Sequence, residues 1–341
     1  MTTIPFRHIF FGASVVVGAV AHSQSNLPQL GKDPIPGILR AMTLEEKAKL
    51  LVGKGLNIPG VFKASTDDSP DKVPGISGHT VAIMRFGIPS LQLSDGPSGI
   101  NRFFDQSDSA HKLFSTAWPV GTLLASSWDT GLVKKVGAAY GDEIKEYGID
   151  FVLGPGINIH RNPLGGRNFE YYSEDPLVTG RTAAAMISGI QSNGVGTTPK
   201  HFAANNQETN RSSVNVIISE RALREIYLKG FEIAVKQSQP WAIMTSYNLI
   251  NGTYTSENYD LLSTILRKEW GFKGYVMTDW FGGKDAVAQM KAGNNLLMPG
   301  TKDQIAKIIE AVKSGQLSEA VLDENISGIL KVILQTPTFK G

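Results

Sequence analysis

The chain has 341 residues, of which 41% are hydrophobic and 19% charged, and it carries a net charge of +2 and no cysteine. This length fits one large domain or two small ones, since barrels run to about 250 residues. The interspersed charges exclude a strongly basic surface for nucleic acid, and the lack of cysteine excludes disulfides and a lipid-anchored cysteine.

The first 21 residues have the pattern of an export signal. Arg7 and His8 precede an apolar run at 9–20, and small residues at Ala19 and Ala21 suit a signal peptidase. The run is too short for a comfortable membrane span, so no membrane association is expected after cleavage. We therefore predict a periplasmic or secreted, bacterial protein. The alternative is an apolar N-terminal helix in a cytosolic protein.

Residues 22–40 have the composition of a mobile leader, and the main domain is predicted to cover residues 41–334. Thr43 and Glu46 have the spacing of a capping box, which predicts a helix running to about Val52. The Gly-, Pro-, Ser- and Asp-rich stretch at 54–78 predicts a long irregular loop.

Strand-like and helical patterns then alternate along the chain. Strand-like runs lie at 90–93, 121–125, 151–153, 197–202, 242–247, 275–278 and 295–298, and helical patterns at 132–147, 179–191, 219–236, 261–270, 286–291, 302–312 and 318–334. This alternation predicts an α/β fold with parallel strands, and most simply a (β/α)8 TIM-type barrel. Seven runs are one short of eight, so an irregular or incomplete barrel fits as well. Residues 335–341 have linker composition.

Polar side chains follow the predicted strands. They are Asp95; Asn158, His160, Arg161, Arg167, Glu170, Glu174 and Asp175; Lys200 and His201; Tyr247 and Asn248; and Asp279 with Trp280. Carboxylates accept from vicinal hydroxyls, cations and imidazoles donate to them, and an indole covers the apolar face of a sugar ring, so a neutral hydroxyl-rich ligand is expected. An Asp just past a strand can also simply cap the next helix. No phosphate-binding glycine loop or metal-ligand spacing is visible, so neither a cofactor nor a metal is predicted.

The same motifs, taken in order, resemble the signatures of family-3 glycoside hydrolases, in particular the β-glucosidase and β-xylosidase branch. They are Leu93-Ser94-Asp95-Gly96-Pro97, the stretch from His160 to Glu170 with Ser173-Glu174-Asp175-Pro176, Lys200-His201-Phe202, and Met277-Thr278-Asp279-Trp280. The resemblance implies a (β/α)8-type barrel that hydrolyses terminal, non-reducing β-linked sugars with retention of configuration.

The resemblance also implies roles for single residues. Asp279 matches the catalytic nucleophile, and Asp95 matches the residue that accepts from two sugar hydroxyls. Hydroxyl-binding donors are matched by Arg161, Lys200 and His201, a tyrosine close to the nucleophile by Tyr247, and an aromatic wall by Trp280. Arg167, Glu170, Glu174 and Asp175 match a polar network that is expected to fix the loop bearing Arg161.

Lys200 and His201 are adjacent, so in a regular strand their side chains would face opposite ways. If both contact the sugar, the backbone there must be irregular, through either a bulge or a cis peptide bond.

The general acid of a retaining glycosidase is a second carboxyl group. In the branch that this chain resembles, it lies on a second α/β domain, which is absent from residues 1–341, so we expect a truncated form or a C-terminal domain supplied in trans. The single-domain β-N-acetylglucosaminidase branch is disfavoured because its Pro-Gly-His-Gly run does not follow Phe202. Glu208 is a substitute acid in principle, but a salt bridge with Arg211 is the favoured interpretation.

One departure from the pattern is Asn294-Asn295, where the family usually has Asn-Asp. Two other functions remain open: a non-catalytic sugar-binding remnant or subunit completed by another chain, and an aldolase- or isomerase-type barrel with Lys200 as a Schiff-base lysine. The expected substrate is a β-linked oligosaccharide or an aryl glycoside.

Overall fold

The computed structural model describes residues 27–55, 72–73, 75–101 and 114–341. The predicted export signal, with residues 22–26 of the predicted leader, lies outside the described residues. No helix within those ranges is both long and apolar enough to cross a membrane.

Short strands alternate with longer helices along the described chain. The strands are β1 Lys54–Gly55, β2 Gly78–His79, β3 Gln92–Asp95, β4 Phe151–Leu153, β5 Gly196–Thr197, β6 Asn215–Val216, β7 Ala242–Met244, β8 Leu249–Ile250, β9 Thr253–Tyr254 and β10 Tyr275–Met277. The α-helices are α1 Ile35–Ala41, α2 Leu44–Leu50, α3 Gly121–Ser126, α4 Thr130–Glu146, α5 Pro176–Gln191, α6 Glu220–Ala222, α7 Lys229–Ser238, α8 Ala286–Ala292, α9 Lys302–Lys313, α10 Glu319–Ile333 and α11 Pro337–Lys340. Leu223–Tyr227 and Asp260–Glu269 are π-helical, and Met84–Phe86, Asn168–Glu170 and Thr255–Glu257 form 3-10 turns.

The sheets are mixed, so the fold is α/β. The largest has the order β1-β2-β3-β4-β5, in which β2 is antiparallel to both β1 and β3, while β3, β4 and β5 are parallel. A second sheet pairs β7 and β10 in parallel, and a small third sheet has the order β6-β8-β9. Isolated parallel bridges join Gly156 to Lys200, Phe202 to Thr245, Met277 to Leu296 and Val52 to Leu297.

The central strands are buried on both faces because their side chains alternate between two apolar clusters. Phe151 and Leu153 of β4, with Tyr275 and Met277 of β10, pack in a cluster that also includes residues of α9 and α10. Val152 and Val276 point the other way and pack against α4, α5 and α7. Strands buried in this way are typical of helix-covered parallel sheets, which explains their near-continuous apolar runs.

Most of the predicted helices are confirmed. The capping box is present, because the Thr43 side chain accepts from the amide of Glu46 and the Glu46 carboxylate accepts from the amide of Thr43 at 2.8 Å. The helix that it opens ends at Leu50.

Several predicted elements were wrong. The 121–125 run is helix α3, since an apolar run this short does not distinguish a strand from a helix. At 295–298 the structure has single bridges through Leu296 and Leu297 in place of a strand. Helix α1 begins inside the predicted leader and buries Ile38. The tail at 335–341 is docked on the fold, because Thr338 donates to the buried Asp150.

Candidate active site

One cavity of about 320 Å³ collects most of the polar side chains predicted to bind the ligand. Its lining residues are Ser77, Asp95, Leu153, Arg167, Lys200, His201, Arg211, Met244, Tyr247, Asp279 and Trp280. The polar members come from different strands. Asp95 ends β3, Lys200 and His201 follow β5, Tyr247 follows β7, and Asp279 follows β10. Because these strands are parallel, their carboxyl ends lie at one edge of the sheet, as in other α/β folds with a site there.

The backbone between Lys200 and His201 is irregular, as predicted. The peptide bond between them is cis, and so is the bond between Phe202 and Ala203. Both Lys200 and His201 line the cavity.

Asp95 and Lys200 form an ion pair in the cavity. The Lys200 Nζ donates to Asp95 Oδ1 at 2.6 Å, and the amide of Asp95 donates to Ser77 Oγ at 2.7 Å. Burial favours the neutral acid, but the charge and hydrogen bond of Lys200 outweigh it and hold the pKa of Asp95 below its usual value. Asp95 is therefore an ionised acceptor at neutral pH.

Asp279 has a different environment. It is only 7% exposed, its Oδ1 accepts from the amide of Trp280 at 2.7 Å, and its Oδ2 makes no well-formed hydrogen bond with any residue in the described ranges. Burial raises the pKa of Asp279, and the charges of Lys200 and Arg167 partly offset that rise by favouring the ionised carboxylate. The Tyr247 hydroxyl also lowers this pKa, but without a well-formed hydrogen bond, and a carboxylate oxygen that is so weakly engaged is suited to attack an electrophilic carbon.

Arg167 and Tyr247 flank this carboxylate. Arg167 pairs through Nε with Glu170 and approaches His201 Nε2 with Nη2 at 3.0 Å. Burial and then the charge of Asp279 raise the pKa of Tyr247, so its hydroxyl stays protonated beside the carboxylate.

Arg211 is a lining residue that the sequence analysis did not select. Its guanidinium lies 4.8 Å from the ring centroid of Tyr247, and its Nη1 donates to Glu208 Oε2 at 2.9 Å. The predicted pairing of Glu208 with Arg211 is thus confirmed. Ser77 and Met244 were missed too, because a serine in an irregular loop and an apolar residue in a strand give no sequence signal of a site.

The structure does not place Arg161 in the cavity. Its side chain is exposed and is not among the lining residues, whereas Arg167, predicted to support the loop, lines the cavity. Two arginines six residues apart in one irregular loop cannot be told apart from sequence spacing.

The predicted polar network is also smaller than expected. Arg167 and Glu170 form its ion pair, but Glu174 and Asp175 are exposed. The side chain of Asp175 accepts from Leu177 and Val178 as the N-cap of α5.

The Asn294-Asn295 departure has a structural explanation. Asn295 Oδ1 accepts from the amide of Val276 and from Arg267, and its Nδ2 donates to the carbonyl of Asn325 at 2.9 Å. A carboxylate has no proton to donate to that carbonyl. Arg267 has no carboxylate among these contacts, and burial lowers its pKa to about 10.

Comparison with known proteins agrees with this arrangement. The profile of the glycosyl hydrolase family 3 N terminal domain matches residues 94–332. This chain belongs to glycoside hydrolase family 3. The thermostable beta-glucosidase B of Acetivibrio thermocellus is 45% identical over 305 residues, which cover 88% of this chain and 37% of that protein. An exo-alpha-(1->6)-L-arabinopyranosidase of Bifidobacterium longum is 43% identical over 304 residues.

Solved structures of the family give the same result. The beta-glucosidase 3B of Thermotoga neapolitana, solved in complex with glucose, matches with a TM-score of 0.85 and 51% identity over 90% of this chain and 43% of that chain. The family 3 chain described here thus spans well under half the length of these relatives.

Proposed function

We propose that this family 3 chain carries the sugar-binding and nucleophile-bearing part of a retaining β-glycosidase that releases terminal, non-reducing β-glycosyl residues. The observation that carries the proposal is Asp279, a buried carboxylate that makes no well-formed hydrogen bond through Oδ2 to the described residues and lines a sugar-sized cavity with Asp95 and Lys200. The beta-glucosidases of Acetivibrio thermocellus and Thermotoga neapolitana support a β-glucoside as substrate.

The proposed reaction assigns each group one task. Asp279 Oδ2 attacks the anomeric carbon and forms a glycosyl ester, which water then hydrolyses. The ionised Asp95 accepts from sugar hydroxyls, and Lys200 and Arg167 donate to them while their charges oppose the rise that burial causes in the pKa of Asp279. Trp280 and Tyr247 form the walls of the cavity.

The proton for the leaving group has to come from elsewhere. In the described chain, Asp95 and Asp279 are the carboxyl groups that line the cavity, and Asp95 is held ionised by Lys200. Glu208 is not a lining residue and is paired with Arg211. We infer that the general acid comes from outside the described residues, for instance from a further α/β domain that completes the site.

We also propose a closed barrel of eight strand segments with one of them antiparallel. Strand pairs and single bridges link the segments 52–55, 78–79, 92–95, 151–153, 196–202, 242–245, 275–277 and 296–297 in a ring that returns to its start through Val52 and Leu297. This count supports the eight-stranded barrel predicted from the sequence, with β2 reversed.

Covalent trapping tests the proposal. A 2-deoxy-2-fluoro-glucoside with a dinitrophenolate leaving group needs no general acid, so the chain alone should form a stable glycosyl ester that intact-mass and peptide spectrometry locate on Asp279. Asp279→Asn should not be labelled. Parallel β-xyloside and α-L-arabinopyranoside reagents compare sugar classes. Labelling elsewhere, or none with any reagent, would overturn the nucleophile assignment.

The alternative is a sugar-binding chain without catalysis, and the lack of a general acid among the described residues that line the cavity favours it. Glucose binding by calorimetry without any trapping would support this alternative. Covalent labelling of Asp279 excludes it.

Export of this chain is a separate proposal. It rests on the pattern of residues 1–21. N-terminal sequencing of the mature protein should begin at His22, and an intact Met1 would contradict it.

A further inference from the structure

Asn158 is a buried amide, 1% exposed, that lies between the ends of β4 and β5 and holds the backbone of His201. Its Oδ1 accepts from the amide of His201 at 2.8 Å, and its Nδ2 donates to the carbonyl of His201 at 2.8 Å. Because the two partners have opposite polarity, exchanging the amide oxygen and nitrogen would break both bonds. The orientation of Asn158 is therefore fixed.

The same amide oxygen lies 3.2 Å from His201 Nδ1. This oxygen only accepts, so Nδ1 carries the proton, and the hydroxyl of Tyr171, also 3.2 Å from Nδ1, fits as a second acceptor. On the other side of the ring, Arg167 Nη2 lies 3.0 Å from Nε2. A guanidinium only donates, so Nε2 carries the lone pair. Two independent contacts select the same tautomer.

The ring is neutral as well as oriented. Burial lowers the pKa of His201 well below its usual value, and the charges of Arg167, Lys200 and Arg211 lower it further. Asp279 Oδ2, at 3.5 Å from Nε2, is the carboxylate that faces this side of the ring.

We propose that Asn158 is a positioning residue that holds His201 as its Nδ1–H tautomer, so that the imidazole presents a lone pair, and no N–H, to Asp279. An Nε2–H at this place would donate to Oδ2, stabilise the carboxylate and weaken it as a nucleophile. With the lone pair on Nε2, which accepts from Arg167 Nη2, His201 directs no donor at Oδ2. His201 thus supplies no N–H on this side of the ring, which differs from the donor role implied by the family resemblance.

The tautomer is tested by nitrogen NMR of the full chain labelled with ¹⁵N-histidine, whose six histidines are assigned with a His201→Gln variant. The expected spectrum has a protonated, pyrrole-type Nδ1 and an unprotonated, pyridine-type Nε2 for His201 at neutral pH. A protonated Nε2 in the unmodified chain would overturn the proposal.

Asn158→Asp tests the positioning role. A carboxylate next to Nδ1 favours a second proton on the ring, so both nitrogens should become pyrrole-type and Nε2–H should donate to Asp279. Trapping by the fluoroglucoside should then slow by about tenfold or more, since a hydrogen bond to a charged group contributes at least that factor. The acid limb of the trapping rate should move to lower pH, because a donor lowers the pKa of a carboxylate.

Asn248→Asp is the matched control. Asn248 is equally buried, and its Nδ2 donates to the carbonyls of Ala203 and Leu249. It should leave the His201 spectrum and the acid limb unchanged, even if it lowers the melting temperature. An unchanged His201 spectrum in Asn158→Asp would contradict the positioning role. The role of Asp279 in this inference rests on the proposed function, whereas the tautomer does not, so a failure of trapping with the expected spectrum would count against the proposed function alone.

Discussion

The two carboxylates of the cavity are perturbed in opposite directions, although both are aspartates at strand ends. Asp95 is stabilised as an anion by Lys200, which lies 2.6 Å away. Asp279 is more deeply buried, its pKa is raised by that burial, and its Oδ2 makes no well-formed hydrogen bond to the described residues, although the Tyr247 hydroxyl partly offsets the rise in pKa. One residue is thus suited to hold a ligand and the other to react with it.

This difference predicts opposite effects on stability. Asp279→Asn should raise the melting temperature at neutral pH by about 1–2 °C, because it removes a buried charge that costs on the order of 1 kcal/mol in a chain whose unfolding entropy is roughly 0.7 kcal/mol/K. Asp95→Asn should lower the melting temperature, because Lys200 is then left buried without its partner. Thermal unfolding of both variants measures this.

The pH dependence gives the control. The pKa of Asp279 is raised in the folded chain, so its cost is present at neutral pH and disappears as pH falls below the unfolded value of about 3.9. The pKa of Asp95 is lowered, so its contribution is present at neutral pH and is lost as pH falls through the folded pKa. The difference in melting temperature between each variant and the unmodified chain should therefore become smaller at acidic pH. Equal destabilisation by the two variants at pH 7 would contradict the assignment.

At the scale of elements, the C-terminal helix α11 is attached through Asp150, which is fully buried at the start of β4. The amide of Thr338 donates to Asp150 Oδ1 at 3.1 Å and its hydroxyl to Oδ2 at 2.8 Å, while the amide of Gln92 donates to Oδ2 as well. A single side chain therefore links the tail to two neighbouring strands.

Thr338→Val should destabilise the chain by about 1–3 kcal/mol, because it keeps the shape and removes one donor to a buried carboxyl group. Thr264→Val is the control, since its hydroxyl donates over 3.4 Å to the exposed Asp260 and should matter by less than about 0.5 kcal/mol. Urea unfolding compares the two. Similar losses in both would show that Asp150 does not anchor the tail.

The helices could be predicted more reliably than the strands, and the reason is physical. Long amphipathic patterns with caps, such as those of α4, α9 and α10, identify themselves locally. The central strands are two to four residues long and are held by partners far away in sequence, so a short apolar run such as 121–125 cannot be told from a strand locally. The site followed the same division: residues next to clear strands were assigned to it, whereas Arg167 was predicted only to support a loop and Arg211 was not selected, because both lie in loops whose path depends on tertiary contacts.

At the scale of the whole molecule, the contact between Val52 and Leu297 joins an early segment to a late one. The amide of Gly53 donates to the carbonyl of Leu297, and the amide of Leu297 donates to the carbonyl of Leu51, both at 2.9 Å. Gly300 closes against the same segment, with a φ of +82° and no room for a Cβ beside the carbonyl of Gly53. We call this contact the seam.

Gly300→Ala should therefore cost about 1–3 kcal/mol of overpacking in addition to the left-handed backbone penalty, and it should open the seam. Gly315→Ala is the control, because Gly315 has a similar φ of +77° with nothing near its Cβ position. Hydrogen exchange should show faster exchange at the amides of Gly53 and Leu297 in the first variant alone. Unchanged exchange there would argue against a closed barrel.

The side chains of the cavity predict how the reaction rate should vary with the leaving group of the substrate. In the proposed reaction Asp279 attacks without assistance from an acid in the described residues, so the rate of glycosyl-ester formation should depend steeply on the leaving group. General-acid assistance accelerates such reactions by about 10²–10⁴-fold. Alkyl glucosides and cellobiose need this assistance and should react slowly, whereas dinitrophenyl glucoside does not need it and should react at an undiminished rate. Single-turnover rates for a series of aryl glucosides, plotted against the pKa of the phenol that leaves, give the slope of this dependence directly.

A separately expressed C-terminal α/β domain from a family 3 relative, added to this chain, tests whether acid assistance can be restored. The slope should flatten and cellobiose hydrolysis should rise, provided that Asp279 is intact. Asp279→Asn mixed with the same domain is the control and should stay inactive. Rapid cellobiose cleavage by the isolated chain would instead mean that it already holds its own acid. Because Lys200 keeps Asp95 ionised and Arg211 pairs with Glu208, that acid would then have to come from residues outside the described ranges.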